Sequence, residues 1–300
     1  METAPAMEGL SEEFIRKNEK YLKIIRGFRL LDDDFMSKVF EDKACANLLL
    51  QIILERDDLT VQEVHGQHDI KNLQGRSIRL DILAVDETGR TYNVEIQRRD
   101  EGADAHRARY NSSLLDANLT SPGDRYDALG ETYVIFITER DVLHEGLPIY
   151  HIDRYVRETG KPFEDGSHIL YVNAQCRSDT PLGKLMHDFH CTDARDMNYP
   201  VLAERVHYFK ENVKGATNMC RAVENLVKEE RHEAMQQGMQ QGMQQGMQQG
   251  MEKGRETERL DMIRALMQSM NTSAEEAMRL LKVPEAEWPK YKELLANAEK

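Results

Sequence analysis

Three things the chain does not have narrow the possibilities. No apolar run among its 300 residues approaches the ~20 needed to span a bilayer, and the opening METAPAMEGLSEEF lacks the apolar core of a secretory leader. No membrane partner and a cytoplasmic location are therefore expected. The four cysteines, Cys45, Cys176, Cys191 and Cys220, are scattered and form no CxxC pair. His187, His190 and Cys191 cluster, but the second half of a zinc pattern is missing, so packing or helix-capping roles are expected of them. Basic residues are also in deficit: 40 Lys and Arg stand against 53 Asp and Glu, a formal net charge of −13. That excludes indiscriminate nucleic-acid binding over the whole surface and leaves room only for a local cationic groove.

What is present suits a soluble globular chain. Hydrophobic residues make up 40% and charged residues 31%, with a mean hydropathy of −0.66. The length permits one large or two small domains.

One stretch, SIRLDILAVDETGRTYNVEIQ (Ser77–Gln97), organises the rest. Ile78, Leu80, Ile82 and Ala84 alternate with Arg79, Asp81, Leu83 and Val85, the period-2 signature of a strand. Asp86–Arg90 supplies a turn in which Gly89 can take positive φ. In the second arm Tyr92, Val94 and Ile96 face one way and Asn93, Glu95 and Gln97 the other. A turn centred on Thr88 puts Asp81 seven residues before it and Glu95 seven after. The two carboxylates then oppose each other across the hairpin, with Cβ atoms about 4.5–5.5 Å apart. Like charges so placed need a shared proton, a cationic partner or a metal ion. Two converging carboxylates with room for water suit Mg²⁺.

The pattern, an Asp and fourteen residues later Glu-x-Gln, resembles the PD-(D/E)XK nuclease superfamily. There, Asp and Glu on adjacent strands hold a metal, and a Lys two residues after the Glu assists the attacking water. Gln97 stands in place of that Lys. The replacement resembles one branch, the Rpn family of recombination-promoting nucleases and transposases, whose strand pair reads R-x-D, a Gly turn, then I/V-E-x-Q. Arg79-Leu80-Asp81 and Val94-Glu95-Ile96-Gln97 match it position by position. The resemblance implies an α/β restriction-endonuclease-like core, a mixed central sheet flanked by helices. It implies a metal site of Asp81, Glu95 and the Ile96 carbonyl, with Asp81, Glu95 and Gln97 catalytic, Mg²⁺ as cofactor (Mn²⁺ substituting) and DNA as partner. An acid on the first core helix joins the metal in many members. Asp34 is the candidate here, with Glu41 behind it, although for any single one of these acids a plain N-cap role is the reading favoured.

Other segments fit that frame. Asp32–Asp34 opens a helix expected over residues 34–55, acids being favoured at a helix N-terminus. Thr60–His65 is expected as a short strand and Gly66–Gly75 as a loop. Glu101–Asn118 is expected as a helix. The family carries Arg and Tyr on a helix at this place, and Arg107, Arg109 and Tyr110 are similar. Together with Arg79, Arg98 and Arg99, and with Arg76 nearby, they are candidates for nucleic-acid backbone contact; the alternative is a solvated face paired with Asp100, Glu101 and Asp104. Tyr133–Thr138 is apolar throughout, as a strand buried on both faces should be. Pro148–Tyr155 and His168–Asn173 are expected as further strands toward the edge. Helices are expected at Thr180–Phe189 and Tyr199–Val213. HDFHCTDARDMNY, beginning at His187, resembles a late segment of the family, which favours a structural role for its His and Cys.

Four copies of MQQG from Met235, followed by MEKG, form a low-complexity tract. A period of four advances each Met by about 40° around a helix, which disfavours a heptad coiled coil. Each interior Gly costs about 1 kcal/mol. A glycine-notched, self-associating helix and a loosely helical spacer are the two readings. The expected division is an N-terminal helical arm (1–30), a nuclease-like domain (31–215), a helical linker with the repeat (216–256) and a small helical tail (257–300). Glu275, Glu276, Glu285 and Glu287 argue against DNA reading by that tail; regulation or homo-oligomerisation through the repeat and tail suits it better. The function expected is metal-dependent hydrolysis of DNA linked to recombination or transposon-like mobility. The alternative is a DNA-binding or protein-interaction module on the same fold.

Overall fold

A computed structural model of the chain describes residues 10–72, 75–98 and 103–297. It divides into two compact units at Glu224/Asn225.

In the first unit, helix α1 (Glu12–Gly27) is capped by Ser11 and buries Leu22 and Ile25. Two helices follow, α2 (Asp33–Phe40) and α3 (Lys43–Leu54). One helix over 34–55 was expected. The break falls at Glu41-Asp42, where the Asp42 carboxylate accepts the N–H groups of Ala44 and Cys45 at 2.9 and 3.3 Å. Asp favours such capping over a helix interior. α2 is seated by Phe35, stacked on Phe28 at 5.7 Å and edge-on to Phe209 at 6.3 Å. The buried Lys210 ammonium beside it donates to the carbonyls of Arg26, Phe28 and Thr192.

A six-stranded mixed sheet forms the centre, in the order β1-β2-β3-β4-β8-β5. The strands are β1 (Val61–Ile70), β2 (Ile78–Asp86), β3 (Thr91–Gln97), β4 (Thr132–Thr138), β5 (Ile149–Ile152) and β8 (Ser167–Asn173). β3, β4 and β8 run parallel, and β1, β2 and β5 are antiparallel to their neighbours. Helices α2 and α3 pack on the β1–β2 side, and α4 (Ala105–Leu119) packs on β4, β1 and β8. Val134 and Phe136 of β4 share a core with Ala103, Ala108 and Tyr171. This is the restriction-endonuclease-like α/β architecture expected.

Two strands differ from expectation. β1 runs on through Gly66 to Ile70, into the segment expected to be a loop. A Cβ at Gly66 would lie 2.9 Å from Glu41 Cγ and 3.0 Å from the Ser37 carbonyl, so only glycine lets this strand pass under α2. β8 lies toward the edge as expected, but inside the edge strand β5 and paired on both sides, and Leu170–Asn173 are buried. The Pro148–Tyr155 strand divides, because after pairing with β8 the chain leaves the sheet. It then forms a separate ribbon of β6 (Tyr155–Val156) and β7 (Lys161–Pro162). α4 begins at its Asp104 cap; the start expected at Glu101 lies outside the described residues. Helices α5 (Pro181–His190) and α6 (Pro200–Glu211) fall where expected.

The hairpin register is the one the turn predicts. Val85 pairs with Thr91 and Ile82 with Val94, so Asp81 comes opposite Glu95. The Asp86 side chain fixes the turn. Its Oδ1 accepts from Thr88 N, Thr88 Oγ1 and Arg90 N at 2.7–3.0 Å, and Tyr92 OH donates to Oδ2 at 2.7 Å. Gly89 takes φ +82°. Burial alone would raise the Asp86 carboxyl, but these hydrogen bonds outweigh it and hold the group below its ordinary value.

Helix α7 (Val213–Met270) begins in the first unit and ends in the second, passing unbroken through the MQQG tract. Met235, Met239, Met243, Met247 and Met251 are 54–73% exposed. In the second unit, Ile263 of α7 packs with Ala277 and Met278 of α8 (Ala274–Leu280), Val283, and Tyr291 of α9 (Trp288–Asn297). Ser273 caps α8, and Trp288 Nε1 donates to the Val283 carbonyl at the break before Pro284. Among the described residues, no helix is long and apolar enough to cross a membrane.

Because Asp86 satisfies a buried tyrosine hydroxyl and sets the register, Asp86→Ala is expected to cost about 2 kcal/mol, or roughly 4–8 °C in melting midpoint. Thermal denaturation checks this; an unchanged midpoint would show that the turn holds without the carboxylate.

Candidate active site

Beyond the Ile82–Val94 pair the hairpin exchanges a ladder contact for a side chain: Asp81 Oδ2 accepts the Ile96 N–H at 2.8 Å. Glu95 lies on β3, covered by strands on both sides, and is 0% exposed. Its Oε2 accepts from Arg107 Nη2 of α4 at 3.1 Å. Asn93, two residues earlier on the same face, is buried as well. Glu95 Oε1 has no hydrogen bond of standard geometry among the described residues. Arg107 also reaches Gln97, donating from Nη1 to Oε1 at 3.4 Å. Since a guanidinium only donates, this contact fixes which way the Gln97 amide points.

The electrostatics follow from this burial. Desolvation is the largest influence on both acids and raises both pKa values. The Asp81 charge raises Glu95 further, and Asp33 and Asp34 at the start of α2 do the same to Asp81, while Arg107 opposes both shifts. Desolvation, and then the Asp34 charge, raises Asp33 in turn. Four carboxylates thus contribute to one field, with Arg107 opposing it at Asp81 and Glu95 and Arg98 at Asp33.

The other sequence candidates separate. Asp34 Oδ1 accepts from Gln67 Nε2 at 2.9 Å. Among the described residues, no third acid joins Asp81 and Glu95 in a cluster of ligand atoms within 4.8 Å. Arg98 pairs with Asp32 at 2.7 Å and Glu139 at 3.4 Å, at the sheet end beside the site. Arg79 pairs with Asp69 of β1 at 2.9 Å and is largely exposed. Of the α4 candidates only Arg107 enters the site. Arg109 is exposed two positions on, about 200° around the helix. Tyr110 OH donates to the Arg76 carbonyl and accepts from Asn72 at 3.0 Å, so it fastens the loop before β2. Arg99 lies outside the described residues. Three site residues were not anticipated. Asp33 differs from its neighbours only by its position on α2. Gln67 falls in the segment read as loop, and the β1–β2 register places it across from Asp81. Asn93 carried a signal, since it alternates with Glu95.

His187, Asp188 and Cys191 form a second cluster, with ligand atoms within 4.8 Å of one another. Asp188, however, is buried and already accepts from Asn198 N, Asn198 Nδ2 and Tyr199 N at 2.7–2.9 Å. It ties the end of α5 to the start of α6. Burial, then Asp188, pushes the Cys191 thiol up to about 11, which disfavours the thiolate a zinc ion needs. The Asp81–Glu95 pair suits a cation better. Its donors are oxygens, as hard divalent ions prefer, and Glu95 Oε1 is a buried acceptor without a hydrogen bond of standard geometry among the described residues, the Asn93 amide being its nearest polar support.

Residues 37–178 match the family model of PD-(D/E)XK nuclease family transposases. The match contains Asp81, Glu95, Gln97 and Arg107, and starts after Asp32–Asp34. No curated protein and no solved structure matches the chain.

The raised acids give a signed pH dependence. In the metal-free protein the folded state keeps protons that the unfolded chain has lost. Stability therefore falls as pH rises from about 4, the ordinary carboxylate value, through the folded pKa values, and is level above them. Asp81→Asn removes one charge and keeps the acceptor for Ile96 N–H. It is expected to raise the melting midpoint in EDTA at pH 8 by about 2–4 °C, roughly 1 kcal/mol, and by less at pH 5. Equal gains at both pH values, or a loss at pH 8, would contradict this.

Proposed function

Because residues 37–178 belong to the PD-(D/E)XK nuclease family transposases, we propose that this protein is a metal-dependent endonuclease hydrolysing DNA phosphodiester bonds in recombination or transposon-like mobility. A nuclease- or transposase-like role follows from the family. The finer reading is supported by one observation above all: the buried Glu95 and the half-buried Asp81 come opposite each other across a hairpin, where desolvation raises both carboxyls.

In this reading Asp81, Glu95 and the Ile96 carbonyl hold Mg²⁺, which Mn²⁺ can replace. A divalent ion there lowers the pKa of a water molecule and offsets charge on the scissile phosphate. Asp81 is oriented for this by the Ile96 N–H, and Glu95 by Arg107. Gln97 can be neither a general base nor a cation. With its oxygen turned to Arg107, its Nε2 is left to donate to a phosphate oxygen. Proton removal from water then falls to the carboxylates. Arg107 is half-exposed, so it can also donate to phosphate.

Nicking of supercoiled plasmid with Mg²⁺ or Mn²⁺ tests this. Wild type is expected to nick, and Asp81→Ala and Glu95→Ala to lose at least about 100-fold in rate, the scale of loss when a reacting group is misplaced. Full activity in either variant would remove the assignment. A folded wild type that binds DNA without cutting would select the DNA-binding alternative.

A further inference from the structure

The three parallel strands end together. Gln97 of β3 pairs in register with Thr138 of β4, and Thr138 with Asn173 of β8. Immediately past these ends, Arg98, Glu139, Arg140, Gln175, Arg177 and His190 line one open cleft. Ligands of α/β sheets characteristically bind at this edge, beyond the carboxyl ends of the strands.

The charges in the cleft do not cancel. Arg98 is shared between Asp32 and Glu139, and Arg29 pairs with Glu139 at 3.0 Å. Those two arginines and two acids balance. Arg140 and Arg177 remain, both exposed, and among the described residues no acid pairs with either. Arg177 is not loose: its Nη1 donates to the carbonyls of Ala174 and Cys176 at 2.6 and 2.9 Å. That anchors the guanidinium on the β8 turn and leaves its other N–H groups for an outside acceptor. His190 closes the wall, its Nε2 on the Ala174 carbonyl at 3.0 Å. Two uncompensated arginines beside each other, in a chain of net charge −13, are complementary to an anion and to little else on this protein.

We propose that this cleft binds two backbone phosphates of the DNA strand, one through Arg140 and one through Arg177, at positions removed from the one being cut. The proposal rests on the DNA reading above and extends it to residues from β4 and β8. Arg98 lies three strand residues beyond Glu95, about 10 Å at 3.3 Å per residue. Arg98, committed to Asp32 and Glu139, positions the cleft wall and does not supply its free charge.

The test is fluorescence anisotropy of a labelled DNA duplex with the full chain in EDTA, over a range of salt concentrations. Arg140→Ala/Arg177→Ala is expected to weaken binding roughly 10-fold or more and to reduce the slope of log K against log salt by about 2, one unit per lost phosphate contact. Each single variant is expected to reduce it by about 1, and Arg140→Lys/Arg177→Lys to keep it. Both side chains are exposed, and unchanged thermal melts confirm folding. A double variant with wild-type affinity and slope overturns the phosphate cleft, whatever the nicking assay shows. Loss of nicking in wild type with the slope change intact leaves the cleft standing and removes only the catalytic reading. No duplex binding by wild type overturns both.

Discussion

Two carboxylates held face to face where water is scarce are the constraint on which the rest of the first unit depends. Asp81 and Glu95 come from adjacent strands in a register that the Asp86-centred turn maintains. Glu95 is buried because β3 lies inside the sheet, between the hairpin partner β2 and the apolar β4. Opposed charges in such a place destabilise the fold unless something neutralises them. Arg107 does part of this by bonding Glu95 and Gln97, and raised pKa values do part. The remainder is open: Glu95 Oε1 has no hydrogen bond of standard geometry among the described residues. A core that retains such an arrangement retains it at a cost in stability, which is common where local rules yield to function.

The surroundings carry the same tension outward. Asp32, Asp33 and Asp34 start α2 next to the hairpin, and the helix is fixed there by Phe35 between Phe28 and Phe209. Asp32 does not cap its own helix by side chain; it accepts from Arg29 N and Arg98. The chain Asp32–Arg98–Glu139–Arg29 thereby joins α2 to the ends of β3 and β4. Partly buried ion pairs of this kind contribute little net stability, and here they fix the spacing between the acidic centre and the cleft of Arg140 and Arg177.

The hairpin was legible because strand alternation and the turn are local. Counting outward from Thr88 gives the register found between β2 and β3. The buried strand β4 was legible from its apolar run. The break at Asp42 was not, because apolar periodicity continues across a capping residue without recording it. β1 was cut short because Gly66 and its polar neighbours read as a loop; only the approach of Glu41 and Ser37 explains the glycine. The inner place of β8 depends on strand order, which no local pattern encodes. Among the arginines, sequence proximity to the hairpin was a poor guide. Arg107 faces the acids, while Arg109 and Tyr110 on the same helix do not. Arg140 and Arg177, far along the chain, come to the same end of the sheet as Gln97 through the parallel register of β3, β4 and β8.

If the raised Asp81–Glu95 pair keeps protons in the metal-free protein, a divalent ion binding there must displace them. Calorimetric titration of Mn²⁺ into the metal-free protein at pH 7, in two buffers of different ionisation enthalpy, measures both binding and the protons it displaces. The account expects saturable binding with release of about one proton, since ligands must be deprotonated on binding, and neither binding nor release in Asp81→Ala. Binding that survives the substitution, or that displaces no proton, would contradict it.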